Sequence, residues 1–273
     1  MRIRIIAGVL LLPALPLVLF IAPDWVLAAL VSLLSAVSVW EVLGRYLPKR
    51  RVTVYTLLFS AGVPLWFAIP GAAANPYYSV PAAGLFLMLL FAEAVLDHKR
   101  LTFAHIGAAF TSALFIPVFF SSLIRIAAMP EGKHLILLPF VASILGDTCA
   151  YFTGVRWGRH KLSGVSPKKT AEGAAGGLAG VLAGMALYGA AEQFLLGGAV
   201  SYPLLLLYGL LGGLAGQLGD LSMSLIKREF QIKDFGSLIP GHGGILDRFD
   251  SLLFAAPVIE LLIVLLPAIS VSV

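Results

Sequence analysis

Stretches of about twenty mostly apolar residues, the length a helix needs to cross the hydrocarbon core of a bilayer, recur along almost the whole chain. No other feature constrains the fold as much. By that ruler the sequence predicts nine spans, roughly 5–22, 24–44, 52–70, 79–96, 103–126, 134–154, 173–196, 202–228 and 249–271. Of the 273 residues, 59% are hydrophobic and 12% charged, whereas a soluble domain carries about 25% charged residues. No water-soluble core could hide so much apolar surface, which excludes an aqueous enzyme and a nucleic-acid binder. Disorder is excluded too, since it needs low hydrophobicity with high net charge. The single cysteine, Cys149, rules out an intrachain disulfide and a cysteine-cluster metal site. The expected fold class is all-α, a polytopic integral membrane protein of about nine transmembrane helices. Its first span contains Pro13 and Pro16, which kink a helix in lipid without ending it. Arg2 and Arg4 imitate the basic start of a signal peptide, but the apolar region is long and no small-residue cleavage site stands out.

The basic residues orient the chain. With nine spans, alternate loops lie on one side together with the N-terminus, and that side holds 17 of the 19 Lys and Arg. Only Arg125 and Lys133 fall near the other side. The positive-inside rule then makes the N-terminus cytoplasmic and the C-terminus external in a multi-pass protein of the cell (inner) membrane. Two cytoplasmic loops, 155–172 and 229–248, are long and together are crowded with Gly, Lys, Asp, Ser and His. Loops of that length in a compact bundle are usually functional. Residues 1–130 thus read as transmembrane helices without a motif. Residues 131–273 read as the catalytic region, with its chemistry at the cytoplasmic face.

A carboxylate inside a span costs about 2.5–3.5 kcal/mol on insertion scales, so each one needs a reason. Asp147 and Asp220 lie at similar depth, roughly 10 Å from the cytoplasmic end of their helices at 1.5 Å per residue. Asp220, Ser224 and Lys227 are spaced i, i+4, i+7 and share one helix face. Glu260, Glu41 and Glu93 stand outside any motif and read as structural, and His98, His105, His134 and His160 as surface or interfacial.

The first long loop runs Ser166-Pro-Lys168-Lys169-Thr170-Ala-Glu172-Gly into a small-residue helix start. Small residues let a backbone approach a phosphate, and a helix N-terminus offers N–H groups to an anion. The spacing is not that of a Walker A loop, and basic loops beside a membrane also attract anionic headgroups without catalysis. Taken alone, this stretch leaves both readings open. The second loop is more specific, running from Ser224 through Lys227, Arg228, Lys233, Asp234, His242, Gly243, Gly244, Asp247 and Arg248 to Asp250. Asp247 and Asp250, three apart at the entry to the last helix, are hard oxygen ligands suited to Mg²⁺. The basic residues supply cations for phosphate oxygens, and the glycine pair permits close backbone approach. Acids for a metal, bases for phosphates and a His beside glycines together describe phosphoryl or nucleotidyl transfer.

At these residues the chain resembles the phosphatidate cytidylyltransferase (CDP-diacylglycerol synthase) family. The family signature has Ser, then Lys-Arg, Lys-Asp, a small residue, a Pro, His-Gly-Gly and Asp-Arg-x-Asp, and the stretch Ser224–Asp250 follows it without departure. The Ser166 loop and the Gly-Asp-Thr segment at Asp147 resemble further elements, so the likeness covers about the C-terminal half. It implies that CTP and phosphatidic acid give CDP-diacylglycerol and pyrophosphate. It further implies Asp220 and Asp247 as first metal ligands, with Asp250 and Asp147 next, for Mg²⁺ and a second cation, divalent or monovalent. Lys227, Arg228 and His242 would join Asp220 and Asp247 in catalysis. Ser166, Lys168, Lys169, Thr170, Glu172, Ser224, Lys233, Asp234, Gly243, Gly244 and Arg248 would bind the substrates or their phosphates. The competing readings are a CTP-dependent lipid kinase, a cytidylyltransferase for another lipid phosphate and, further off, an ion-coupled transporter. A transporter would show paired broken helices in two repeated halves, whereas here the polar residues crowd into one half. A homodimer is expected from the base rate of symmetric oligomers alone. The orientation is checked by labelling: single cysteines placed in 155–172 or 229–248 should react with an impermeant reagent from the cytoplasmic side only. A cysteine at the C-terminus should react from outside only.

Overall fold

The computed structural model describes residues 23–71, 76–238 and 243–270. Its helices are α1 (Asp24–Leu43), α2 (Arg50–Ala68), α3 (Pro76–Leu96), α4 (Phe103–Phe120), α5 (Ser122–Ala127), α6 (Gly132–Leu135), α7 (Leu137–Trp157), α8 (Ala171–Leu196), α9 (Tyr202–Glu229) and α10 (Leu246–Leu265). Two strands of two residues each, β1 (Ala199–Val200) and β2 (Ile269–Ser270), pair antiparallel. The fold is otherwise all-α, as expected; the strand pair is an addition that no sequence pattern announced.

Seven of the described segments are long and apolar enough to cross a membrane: Asp24–Leu43, Arg50–Ala68, Tyr77–Leu96, Phe103–Ala127, Gly132–Trp157, Ala171–Leu195 and Tyr202–Glu229. The protein is a multi-pass membrane protein. Of the nine expected spans, 5–22 lies outside the described residues. The span expected at 249–271 coincides for most of its length with a helix that starts at Leu246 and ends at Leu265. Asp247, Arg248, Asp250 and Glu260 lie within it, and it is not among the seven. Leu58, Phe152, Leu187 and Leu261 are among the large apolar side chains that face outward. Such a surface suits acyl chains and would be a liability in water.

The chain forms two compact units, Met1–Arg125 with Asp234–Arg248, and Ile126–Lys233 with Phe249–Val273. In the first, α1, α2 and α4 pack on one another and α3 packs on α4. Val39, Leu43, Ala109, Ala113, Ile116 and Phe120 are fully buried there. The rings of Phe59 and Phe86 stack at 4.2 Å. The Ser32 hydroxyl donates to the Ala61 carbonyl at 2.5 Å, tying α1 to α2. At the ends of α2 and α3, Lys49 pairs with Glu93 at 3.3 Å and Asp97 at 3.2 Å. Glu93, read from sequence as structural, is part of this ion-pair cluster.

In the second unit the dominant pairing is α7 against α8, and α9 packs on both. Lipid offers no hydrophobic drive between helices, so their association relies on close packing, which small residues allow. On α8, Gly176 lies against Thr153 and Gly180 against Cys149, and a Cβ at either position would collide with those side chains. At the far end of α9 from Asp220, the buried Tyr208 hydroxyl accepts from the Ala268 N–H at 3.1 Å and lies 3.1 Å from the Leu262 carbonyl. That contact, with Ser201 N–H donating to Ala268 O at 2.7 Å, folds the segment after α10 back onto the start of α9. The helix contact is testable: Gly176→Val should lower the thermal midpoint in detergent, at a cost of about 1–3 kcal/mol for overpacking. Gly84→Ala, where nothing lies within 4 Å, should leave the midpoint unchanged or raised.

Candidate active site

In the second unit three helices each bring one carboxylate to a common neighbourhood: Asp147 from α7, Asp220 from α9 and Asp250 from α10. Glycine on α9 brings the last two together. A Cβ at Gly219 would stand 2.6 Å from the Asp250 carbonyl and 2.8 Å from the Phe254 ring, so only glycine lets α10 lie against α9 beside Asp220. The neighbouring Gln217 donates from Nε2 to the Ala174 carbonyl at 2.9 Å, fixing α9 against α8.

Each acid has partners. The Ser251 hydroxyl reaches both oxygens of Asp147, at 3.0 and 2.9 Å, and Ser251 N–H donates to Asp250 Oδ1 at 2.8 Å. Asp250 and Ser251 are buried, whereas Asp147 is exposed. Asp250 lies within electrostatic range of Asp220, Asp147 and Lys227. Asp220 forms an ion pair with Lys169. The structure therefore gathers Asp147, Asp220, Asp250, Lys169 and Lys227, all of them site residues expected from sequence. It adds Ser251, whose only sequence signal is a hydroxyl next to Asp250 in an apolar helix. Ser224, one turn after Asp220, is buried.

The loop before α8 is built as a closed hairpin. Lys161 and Thr170 form an antiparallel bridge, and Leu162 N–H donates to Lys169 O at 2.9 Å. The Glu172 carboxylate accepts from Arg159 N–H at 3.0 Å and contacts His160 Nδ1 at 2.6 Å. At the helix start, Ala171 N–H goes to His160 O, Gly173 N–H to Thr170 Oγ1, and Ala174 N–H to Thr170 O. Glu172 and Thr170 are thus occupied in holding the loop and capping α8. Lys168 is exposed beside the half-buried Ser166, while Lys169 turns in to Asp220. Arg228 Nε reaches the Val165 carbonyl at 3.4 Å, and Lys233 is exposed.

The remaining signature residues belong to the first unit. Asp247 Oδ2 accepts from Phe235 N–H at 2.9 Å and from Gly244 N–H at 3.0 Å, clasping the two limbs of the loop. Gly243 sits at φ 85°, a conformation that favours glycine. Asp234 and Arg248 are exposed. Ile245 and Leu246 N–H donate to Glu41 Oε1 and Oε2 at 2.8 and 2.9 Å. A cavity of about 410 Å³ is lined by Trp40, Glu41, Gly44, Arg45 and residues 235–238. His242 lies outside the described residues.

Sequence comparison gives this arrangement its context. A family model described as "Cytidylyltransferase family" matches residues 2–266. The phosphatidate cytidylyltransferase of Staphylococcus haemolyticus is 33% identical over 268 residues, covering 97% of this chain and 99% of that protein. That of Staphylococcus aureus is 32% identical over the same length and coverage. The Bacillus subtilis protein of the same name is 38% identical over 181 residues, 66% of each chain. A family model that matches residues 2–266, nearly the whole chain, means that the chain belongs to the cytidylyltransferase family.

Proposed function

We propose that this protein is a phosphatidate cytidylyltransferase, transferring the cytidylyl group of CTP to phosphatidic acid and giving CDP-diacylglycerol and pyrophosphate. The observation that carries this reading is the likeness to an enzyme of that name over 97% of the chain. The second unit supplies chemistry that suits it. An oxygen of the lipid phosphate attacks the α-phosphorus of CTP in line; the new P–O bond forms as the bond to the bridging oxygen breaks, and pyrophosphate leaves. The nucleophile is already ionised, so positioning and charge neutralisation matter more than a strong general base.

Lys169 and Lys227 stand beside the acids as point charges for phosphate oxygens. Arg228, Lys233, Lys168 and Ser166 extend that electropositive surface toward the entering nucleotide. Asp220, Asp250 and Asp147 have the donor chemistry of a Mg²⁺ site, which usually takes one or two carboxylates plus substrate phosphates. Among the described residues no three acid, His or Cys side chains stand close enough to hold an ion by themselves. The reading therefore leaves the other ligand positions to CTP. Such an ion would offset charge on the transferring and leaving phosphates; a second cation, divalent or monovalent, is part of the same reading. Asp247 is read as a further metal ligand whose carboxylate also shapes the loop carrying Asp234, Gly243, Gly244 and Arg248. His242 is read as a hydrogen-bond partner of the leaving pyrophosphate. The site would open at the cytoplasmic face of the cell membrane, in a chain with a cytoplasmic N-terminus and nine spans, assembled as a homodimer. The support for that orientation is the one-sided distribution of 17 of the 19 Lys and Arg.

Purified protein given labelled CTP, Mg²⁺ and phosphatidic acid in mixed micelles should form labelled CDP-lipid, and with diacylglycerol it should form no phosphatidic acid. The reverse outcome would make it a lipid kinase. Asp220→Asn and Asp250→Asn should each lower kcat by roughly 10²–10³-fold, the size of loss when one preorganised electrostatic group is removed. The double variant should be scarcely worse than either single, because groups acting as a unit are non-additive. Near-normal turnover by Asp220→Asn would reduce that carboxylate to a helix-packing contact with Lys169.

A further inference from the structure

Glu41 is a carboxylate in a helix of the motif-free half of the chain, and it is 5% exposed. Its two oxygens accept from the consecutive N–H groups of Ile245 and Leu246, at 2.8 and 2.9 Å, across more than 200 residues of sequence. These are N–H groups at the start of α10, where a helix has no internal acceptors to offer. Glu41 thus does from a distance what a local N-cap side chain does. The adjoining N–H, that of Gly244, goes to Asp247 Oδ2. Three successive amides of the signature loop are therefore held by two protein carboxylates.

The loop has been shaped around that side chain. A Cβ at Gly236 would lie 2.5 Å from Glu41 Oε1, and one at Gly244 would lie 2.5 Å from Oε2. Two glycines of the loop are thus needed, at least in part, because Glu41 stands between its limbs. The same carboxylate lines the 410 Å³ cavity together with Phe235 and Gly236. With the loop backbone committed to Glu41 and Asp247, the charged side chains of Asp234 and Arg248 are among the exposed groups of its described part.

We propose that Glu41 is a positioning residue for the cytidylyl transfer: it templates the loop segments 234–238 and 243–248 and so sets how their exposed residues meet the phosphates of CTP. This rests on the cytidylyltransferase reading, and one kinetic series separates the two. If the wild-type protein makes no CDP-lipid from CTP and phosphatidic acid, the functional reading fails irrespective of Glu41. With an active wild type, Glu41→Ala should raise the KM for CTP about tenfold or more, within the 10–100-fold cost of losing an orienting partner. Glu41→Gln should raise it less, since its one carbonyl oxygen keeps one of the two acceptor positions. A role confined to stability would lower the amount of active protein and leave KM unmoved, so an unchanged KM in either variant overturns the proposal. Gly236→Ala provides a second route that leaves Glu41 in the chain. Its added methyl pushes on the carboxylate and should also raise the KM for CTP. Combined with Glu41→Ala, it should add less than about twofold, because contacting residues couple. Independent multiplication of the two effects would overturn the proposal as well.

Discussion

A carboxylate among apolar helices persists only where something offsets its desolvation, and the polar architecture of this protein follows from that constraint. Asp220 has Lys169, Asp147 has the Ser251 hydroxyl, and Glu93 has Lys49. Glu41 has two backbone amides. Glu192, buried on α8, takes the Tyr188 hydroxyl at 2.5 Å and faces His134 Nδ1 at 3.3 Å. Each partnership joins elements or fixes a loop, so the charges that would otherwise oppose insertion become the contacts that define local geometry.

Close helix approach makes those partnerships reachable. Side chains as short as Asp and Ser meet across two helices only if the backbones come together, and glycine is what permits that on α8 and α9. Gly219 brings the backbone of α10 to Asp220's own turn. Gly176 and Gly180 seat α7 on α8, the helix that follows Lys169 and its hairpin. The cytidylyltransferase chemistry proposed above thus depends on residues that carry no chemistry themselves.

The hairpin before α8 and the loop before α10 illustrate a second economy. Both are rich in Gly and in charge, and the family resemblance implies phosphate binding at both. In the structure several of their backbone amides are turned inward: Glu172 and Thr170 close the first, Glu41 and Asp247 hold the second. Rigid loops lose less conformational freedom on binding a ligand than mobile ones. Internal carboxylates that organise the backbone thereby leave the exposed Lys168, Lys233 and Arg248 on defined supports.

Apolar length along the chain was enough to establish a helical membrane protein, because span length is dictated by bilayer thickness and needs no knowledge of neighbours. The order and spacing of Ser224, Lys227, Arg228, Asp247 and Asp250 were likewise enough to point to nucleotidyl transfer, since charge type and local spacing are written directly in sequence. The extent of the helix at Leu246–Leu265 was less legible, because its ionisable residues and its terminal turn back through Tyr208 compete with simple hydropathy. What no linear pattern could supply were the long-range partners. That Asp220 meets Lys169, that Asp147 meets Ser251 across 104 positions, and that Glu41 caps a helix more than 200 residues away depend on which faces pack. Helices that are apolar on every side give little sign in sequence of which face that will be. Only the tertiary structure, through the glycine contacts between helices, decides it.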